Sequence, residues 1–145
     1  MDAMAFENLM NAYAARQQIQ PLKYENNKFM LTVDDRIDVS CFQANGRFYA
    51  YSTITKLAED NSKREQLLMM LLEKNLALLA TQRVSLCIDP DENALAIYIS
   101  APLKNLSVGG IEESIAALAN NYEHFLKWAG QSAPPPPAPS MMLMP

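Results

Sequence analysis

Apolar residues recur along this chain at two spacings, and each spacing predicts an element. Phe6, Leu9, Met10 and Tyr13 fall at i, i+3, i+4 and i+7, which predicts a helix over about Ala3 to Gln17 with one apolar stripe. Pro21 and the polar Glu25-Asn26-Asn27 end that helix and its linker and introduce strands. Alternation then takes over. Phe29, Leu31 and Val33 alternate in KFMLTVD, and Ile37, Val39 and Cys41 alternate in RIDVSCF. Asn45-Gly46 is a strong hairpin signal, because both turn positions need positive φ. A two-residue turn there pairs Ala44 with Arg47, Cys41 with Ala50 and Phe42 with Tyr49. The hairpin then has two different faces. One carries Ile37, Val39, Cys41, Ala50 and Ile54; the other carries Phe42, Tyr49 and Tyr51 with Ser40 and Thr53.

Helical spacing returns at Ser62, where Glu65 three residues on makes a candidate capping box. The segment SKREQLLMMLLEKNLALLA is apolar around more than one face. Leu67, Leu68, Leu71, Leu72, Leu76, Leu78 and Leu79 spread over an arc of roughly 200°, where a surface helix needs little more than 100°. Part of that arc can pack on the chain's own sheet, and the rest calls for a partner. Asn75 lies inside it, and a buried amide must be hydrogen-bonded, so it braces a loop or crosses an interface. Two strands follow, with Val84, Leu86 and Ile88 on one and Leu95, Ile97 and Ile99 on the next, joined by Asp89-Pro90-Asp91-Glu92-Asn93. Pro102 ends the second. Gly109-Gly110 then precedes a helix from Ile111 to Ala129 that stops at Gly130, with Ile111, Ile115, Leu118, Tyr122, Phe125 and Leu126 on its stripe. The predicted architecture is α+β: helix-strand-strand-strand-helix-strand-strand-helix, an antiparallel sheet with helices packed on it, assembled as a homodimer.

Composition adds a few constraints. At 145 residues the chain makes one domain, placed at 1–130, with 131–145 as a Pro-rich flexible tail. That tail contains APPPPAP, which is polyproline-like and cannot join a core, followed by the apolar MMLMP. Half the residues are hydrophobic and 19% are charged, with a net charge of −4. This balance argues against nucleic acid or an anionic membrane as the main ligand. The N-terminal MDAMAFENLM lacks the basic region of a secretory signal, and the apolar run from Leu67 to Leu72 is far short of a membrane span. Cys41 and Cys87 each fall among apolar strand residues and read as buried reduced thiols of a cytoplasmic protein.

Catalytic chemistry is not legible. His124 is the sole histidine and lies on the solvent side of its helix, near Asn120 and Lys127. Neither cysteine adjoins a basic group or a helix N-terminus. Asp34-Asp35 and Asp89/Asp91 belong to turns, and no phosphate, dinucleotide or zinc motif occurs. No catalytic residue, metal site or cofactor is assigned, and the chain reads as a protein that works by binding proteins.

The stretch LLEKNLALLATQRVSLCIDPDENALAIYISAPL, from Leu71 to Leu103, resembles the class I type III secretion chaperones, the Tir-chaperone-like family of Gram-negative bacteria. The similarity lies in a leucine-rich helix with an Asn-Leu pair, a short strand, an acidic turn, an apolar strand and a Pro-Leu. The later helix with Phe125 and Trp128 also fits, whereas the Pro-rich tail lies outside the family pattern. The resemblance implies a cytoplasmic homodimer that holds the N-terminal part of a secreted effector in extended form and presents it to the secretion ATPase. A regulatory adaptor on the same fold, sequestering a transcription regulator or another chaperone, is the alternative. A third reading makes Ala133 to Pro139 a ligand for an aromatic-lined domain.

Site residues follow from both lines of argument. An extended client satisfies its amides at a sheet edge and places alternate side chains in pockets. Phe6, Leu9, Met10, Tyr13, Phe29, Leu31, Phe42 and Tyr49 are the candidates for effector binding, and the nine methionines suit adaptable grooves. Leu68, Leu72, Asn75, Leu79, Leu86 and Ile88 are the candidates for the dimer interface.

Overall fold

The computed structural model describes residues 3–19, 22–81 and 83–132. Three helices, α1 (Ala3–Arg16), α2 (Asn61–Thr81) and α3 (Val108–Ser132), accompany six strands. The strands are β1 (Lys23–Glu25), β2 (Lys28–Val33), β3 (Ile37–Ala44), β4 (Arg47–Lys56), β5 (Val84–Asp89) and β6 (Ala94–Pro102). They form one antiparallel sheet in the order β1-β2-β3-β4-β6-β5. The sequence reading had five strands. The sixth, β1, is only three residues long and exposed throughout, so it carries no alternation to detect. Its turn is nonetheless written in the sequence. Asn26 and Asn27 have φ of 55° and 63°, and asparagine tolerates that region better than most residues.

The Asn45-Gly46 hairpin forms in the expected register, with Ala44 opposite Arg47, Cys41 opposite Ala50 and Phe42 opposite Tyr49. Both turn residues have positive φ, 54° and 74°. In the turn after β5, the Asp89 carboxylate accepts from the backbone N–H groups of Asp91 and Glu92 at 3.0 and 3.3 Å.

Three helix boundaries differ from expectation. Ser62 is not the cap of α2. The Asp60 carboxylate accepts from the N–H groups of Ser62 and Lys63 at 2.8 and 3.3 Å, so the helix begins one residue earlier without a Glu65 capping box. For α3, the Ser107 hydroxyl accepts from the Gly110 N–H at 3.0 Å, which places both glycines inside the first turn. That helix also runs through Gly130 to Ser132, since a glycine near a helix end permits a stop without imposing one. Residues 133–145, including the Pro-rich segment, lie outside the described residues.

The core forms between one sheet face and the helices. Phe6, Met10 and Tyr13 of α1 and Ile111, Ile115, Leu118 and Phe125 of α3 pack with Ile37, Val39, Cys41, Phe48, Ala50 and Ile54. Phe6 meets the rings of Phe29 and Phe48 at 5.7 and 6.0 Å. Arg16 pairs with Glu112 at 3.4 Å, joining α1 to α3, and Arg36 pairs with Glu123 at 2.5 Å, joining the β2–β3 turn to α3. The arginines of these pairs are exposed and the glutamates half-buried, so each pair contributes modestly.

At the β5 edge, α2 does what a further strand would do. The Asn75 side-chain nitrogen donates to the Leu86 carbonyl at 2.8 Å, and the Leu86 N–H donates to Asn75 Oδ1 at 2.6 Å. One amide thus satisfies both backbone groups of an edge residue. Replacing Asn75 with Ala leaves both without that partner, at about 1–3 kcal/mol each. We expect urea unfolding to show a loss of about 2–4 kcal/mol for Asn75→Ala, with amide exchange at Leu86 accelerated more than at Ile97.

Burial also sets a pH limit. It pushes the Cys41 and Cys87 thiols above their ordinary 9.0, with Asp89 adding to the effect at Cys87, and raises the Tyr13 phenol to about 12. Above pH 9 the unfolded chain releases thiol protons that the folded chain retains, so stability falls as pH rises. The slope approaches about 1.4 kcal/mol per pH unit for the fully buried Cys41. Urea titrations between pH 7.5 and 10.5 should show this decline, and Cys41→Ala should make it shallower.

Candidate functional site

Three surfaces gather exposed apolar or aromatic side chains. The first is the outer side of α2. Met69, Leu72 and Leu76 are 65%, 70% and 76% exposed, while Leu71 and Leu78 turn into the core. The helix period makes this division: 69, 72 and 76 share one face, while Leu71, Asn75 and Leu78, at i, i+4 and i+7, share the inward face, from which Asn75 reaches β5. Among the expected interface residues, Leu72 stands on this face. Leu68 and Ile88 are half-buried, and Leu86 is buried beneath α2. The Asn75 amide is engaged within its own chain, and the side chain of Leu79 lies outside the described part. Met69 and Leu76 had not been singled out, although Leu76 belongs to the leucine arc that the spacing revealed.

The second surface lies where α1 meets the β1–β2 hairpin. A cavity of about 430 Å3 is lined by Ala3, Phe6, Glu7, Tyr24, Phe29 and Gln43. Phe6 and Phe29 have little exposed area, so they form its floor, and Tyr24, 58% exposed, stands at its rim with its ring 4.7 Å from that of Phe29. Beyond it, a groove of about 520 Å3 runs past Gln18, Ile19, Lys23, Met30, Leu31 and Thr32. This is the β1 end of the sheet. The ladder of β1 spans only Lys28–Met30 of β2, and among the described residues no strand pairs with the outer side of Leu31–Val33. Met10 and Tyr13 lie deeper, in the core proper, and Leu9 is half-buried against it.

The third surface is the sheet face turned away from the core cluster. Phe42 and Tyr49 stack at 5.0 Å with an interplanar angle of 14°, Tyr51 meets Phe42 edge-on at 6.0 Å, and Tyr98 lies 6.5 Å from Tyr49. Lys28 Nζ donates to Tyr51 Oη at 2.7 Å and sits 4.9 Å from the centre of that ring. Cross-strand pairing lines these rings up, since Phe42 faces Tyr49 and Tyr51 faces Tyr98. Tyr98 was missed as a site residue, yet the alternation Ala96, Tyr98, Ser100 opposite the apolar Leu95, Ile97 and Ile99 places it on this side.

Chemistry beyond binding has little support here. Among the described residues no three His, Cys, Asp or Glu side chains cluster as metal ligands. His124 is exposed on α3, beside a groove shared with Lys74 and Thr81 of α2. No described helix is long and apolar enough to cross a membrane.

Comparisons with known proteins agree with this architecture. A search of curated protein sequences returns no significant match. Solved structures do match. A chain of the HopA1–SchA chaperone–effector complex superposes with a TM-score of 0.69 at 17% identity, covering 88% of this chain and 99% of that one. A chain of the ExsC–ExsE complex gives 0.71 at 16% identity, covering 88% and 96%. One from the ExoU–SpcU complex of the Pseudomonas aeruginosa type III secretion system gives 0.60 at 12%, covering 81% and 95%. Identities this low establish the fold alone. The family itself is given by the sequence: residues 8–126 match the Tir chaperone protein (CesT) family, and the chain belongs to it.

Proposed function

We propose that this protein is a cytoplasmic type III secretion chaperone. It binds the N-terminal segment of a secreted effector in extended form and keeps that segment soluble and competent for secretion. The observation that carries this reading is the asymmetry of the sheet. One end is closed by Asn75 on Leu86, while the other ends in the short, exposed β1 beside two grooves. An extended segment adds its backbone to a free edge and drops alternate side chains into adjoining pockets. Phe6, Phe29 and Leu31 line those pockets, and Leu9 flanks them. Met10 and Tyr13 support them from beneath, and Phe42 and Tyr49 extend the contact surface onto the outer face. The HopA1–SchA structure, on this fold, is a chaperone–effector complex, and ExoU–SpcU is a heterodimeric complex from a type III secretion system.

The reading includes a homodimer with the secretion ATPase as a downstream partner, and it assigns no catalytic step. Met69, Leu72 and Leu76 form an apolar stripe that is costly to leave in water, at about 1.5–3 kcal/mol per leucine. A second copy of α2 covers it, with Leu68, Leu79 and Ile88 at the margin and Asn75 and Leu86 as the support beneath. The proposed domain is the helix–sheet unit up to about residue 130, with the Pro-rich segment outside it.

Size-exclusion chromatography with light scattering should give a dimer at micromolar concentration, and a clean monomer would refute the seam. Leu72→Glu removes one leucine from each subunit and should weaken dimerisation roughly 10³-fold. For the client, affinity capture from the native host should recover a secreted protein, and co-expression with its first hundred or so residues should yield a soluble complex. Phe42→Ala with Tyr49→Ala should reduce that yield without unfolding the chaperone. Recovery of a transcription regulator instead would make the chain an adaptor.

A further inference from the structure

Helix α2 is held to β5 through Asn75, and α3 packs across β4 and β6, which leaves a groove of about 440 Å3 between the two helices. Leu78 of α2 and Phe125 of α3 are buried and form its floor. Its walls are polar, with Lys74 and Thr81 from α2 and Asn120, Asn121 and His124 from α3. The groove lies on the other side of α2 from Met69, Leu72 and Leu76, so a second copy covering that stripe leaves it open.

In a chain of net charge −4, no carboxylate lines this groove. The half-buried Lys74 ammonium sits 5.6 Å from the centre of the Trp128 ring, and among the described residues it pairs with no acid. His124 also pairs with none, and an imidazole keeps an N–H donor in either charge state. Its neighbour Glu123 is engaged with Arg36. Two acceptors stand among these donors. Asn121 is only 9% exposed, and its Nδ2 donates to the Ala117 carbonyl at 2.8 Å. Among the described residues nothing donates to its Oδ1, which stays accessible from the groove. Thr81 Oγ1 donates to the Ala77 carbonyl at 2.8 Å, so its oxygen too is left to accept.

This inventory selects an occupant. A free anion would satisfy Lys74 and His124 but offers no donor to Asn121. A peptide supplies all that is missing: a carboxylate for Lys74, backbone N–H groups for Asn121 and Thr81, and an apolar side chain for the Leu78–Phe125 floor. We propose that the α2–α3 groove binds a segment of a partner protein in which an acidic residue adjoins an apolar one. None of the groove residues belongs to the pockets at the β1 end, so the proposal stands apart from the client reading and its failure leaves that reading untouched.

The full-length protein has one histidine, so its ring protons give a unique 1H NMR report on this groove. The probe is a capped peptide, acetyl-Ala-Leu-Glu-Leu-Ala-amide, with the Gln version as its neutral isostere. The Glu peptide should move the His124 signals saturably at millimolar concentration. The Gln peptide should bind about tenfold more weakly, the scale of one hydrogen bond to a charged group. Lys74→Met keeps the stem without the charge and should bring both peptides to one affinity. Asn121→Ala should weaken both alike, because it removes a partner of the backbone rather than of the carboxylate. Unmoved His124 signals, or equal binding of the two peptides to the unaltered protein, overturn the proposal. So does sodium acetate that reproduces the shift at the same concentration, which makes the groove an anion site only. A shift on concentrating the protein without peptide assigns the groove to a second copy and overturns it too.

Discussion

The contact between Asn75 and the backbone of Leu86 organises the rest of this molecule. An edge strand presents unpaired N–H and C=O groups, and a sheet of six strands has two such edges. Here one side-chain amide, reaching from a 21-residue helix, engages both backbone groups of Leu86, the third of six residues in β5. It thereby orients α2 about its own axis. Leu71 and Leu78 turn inward, and Met69, Leu72 and Leu76 are left on the outer side. The polar bond at the edge and the apolar stripe in solvent are two consequences of a single helix rotation.

The same contact gives the sheet a direction. With α2 over β5, the remaining edge is at β1, where the ladder is short and all three residues are exposed. Two grooves and the α1 stripe lie at that end, so backbone groups and apolar pockets adjoin. A protein that holds an extended segment requires both in one place, because hydrogen bonds supply general affinity and pockets supply selectivity. The outer face adds a third element of different character. Its rings are tyrosines in three cases out of four, apolar in body and polar at the tip.

Much of the fold was legible in the chain, and the failures have specific causes. The β3–β4 register followed from Asn45-Gly46 because a two-residue turn leaves one pairing. The starts of α2 and α3 were missed by a residue or more because several neighbouring side chains are able to cap. Asp60 outcompeted Ser62, whereas Ser107 acted where the glycines had drawn attention. Strand β1 escaped because a three-residue exposed strand has no apolar pattern. Among the candidate contact residues, Phe6, Met10, Tyr13, Phe29 and Leu31 prove to have nearly all their surface buried in their own core. A helical stripe looks the same in sequence whether it faces a core or a groove wall.

What the sequence determined by itself was the set of elements apart from β1, the strand pairing at the central hairpin, the surplus of leucine in the second helix and, through residues 8–126, the family. These depend on local periodicity, on turn chemistry and on patterns that survive without contacts being known. Tertiary structure alone decided where Asn75 points, which leucines face water, and that Tyr98 joins Phe42, Tyr49 and Tyr51 on one surface. The reason is geometric. Strand order β4-β6-β5 brings together residues nearly fifty positions apart, and no local spacing encodes that neighbourhood.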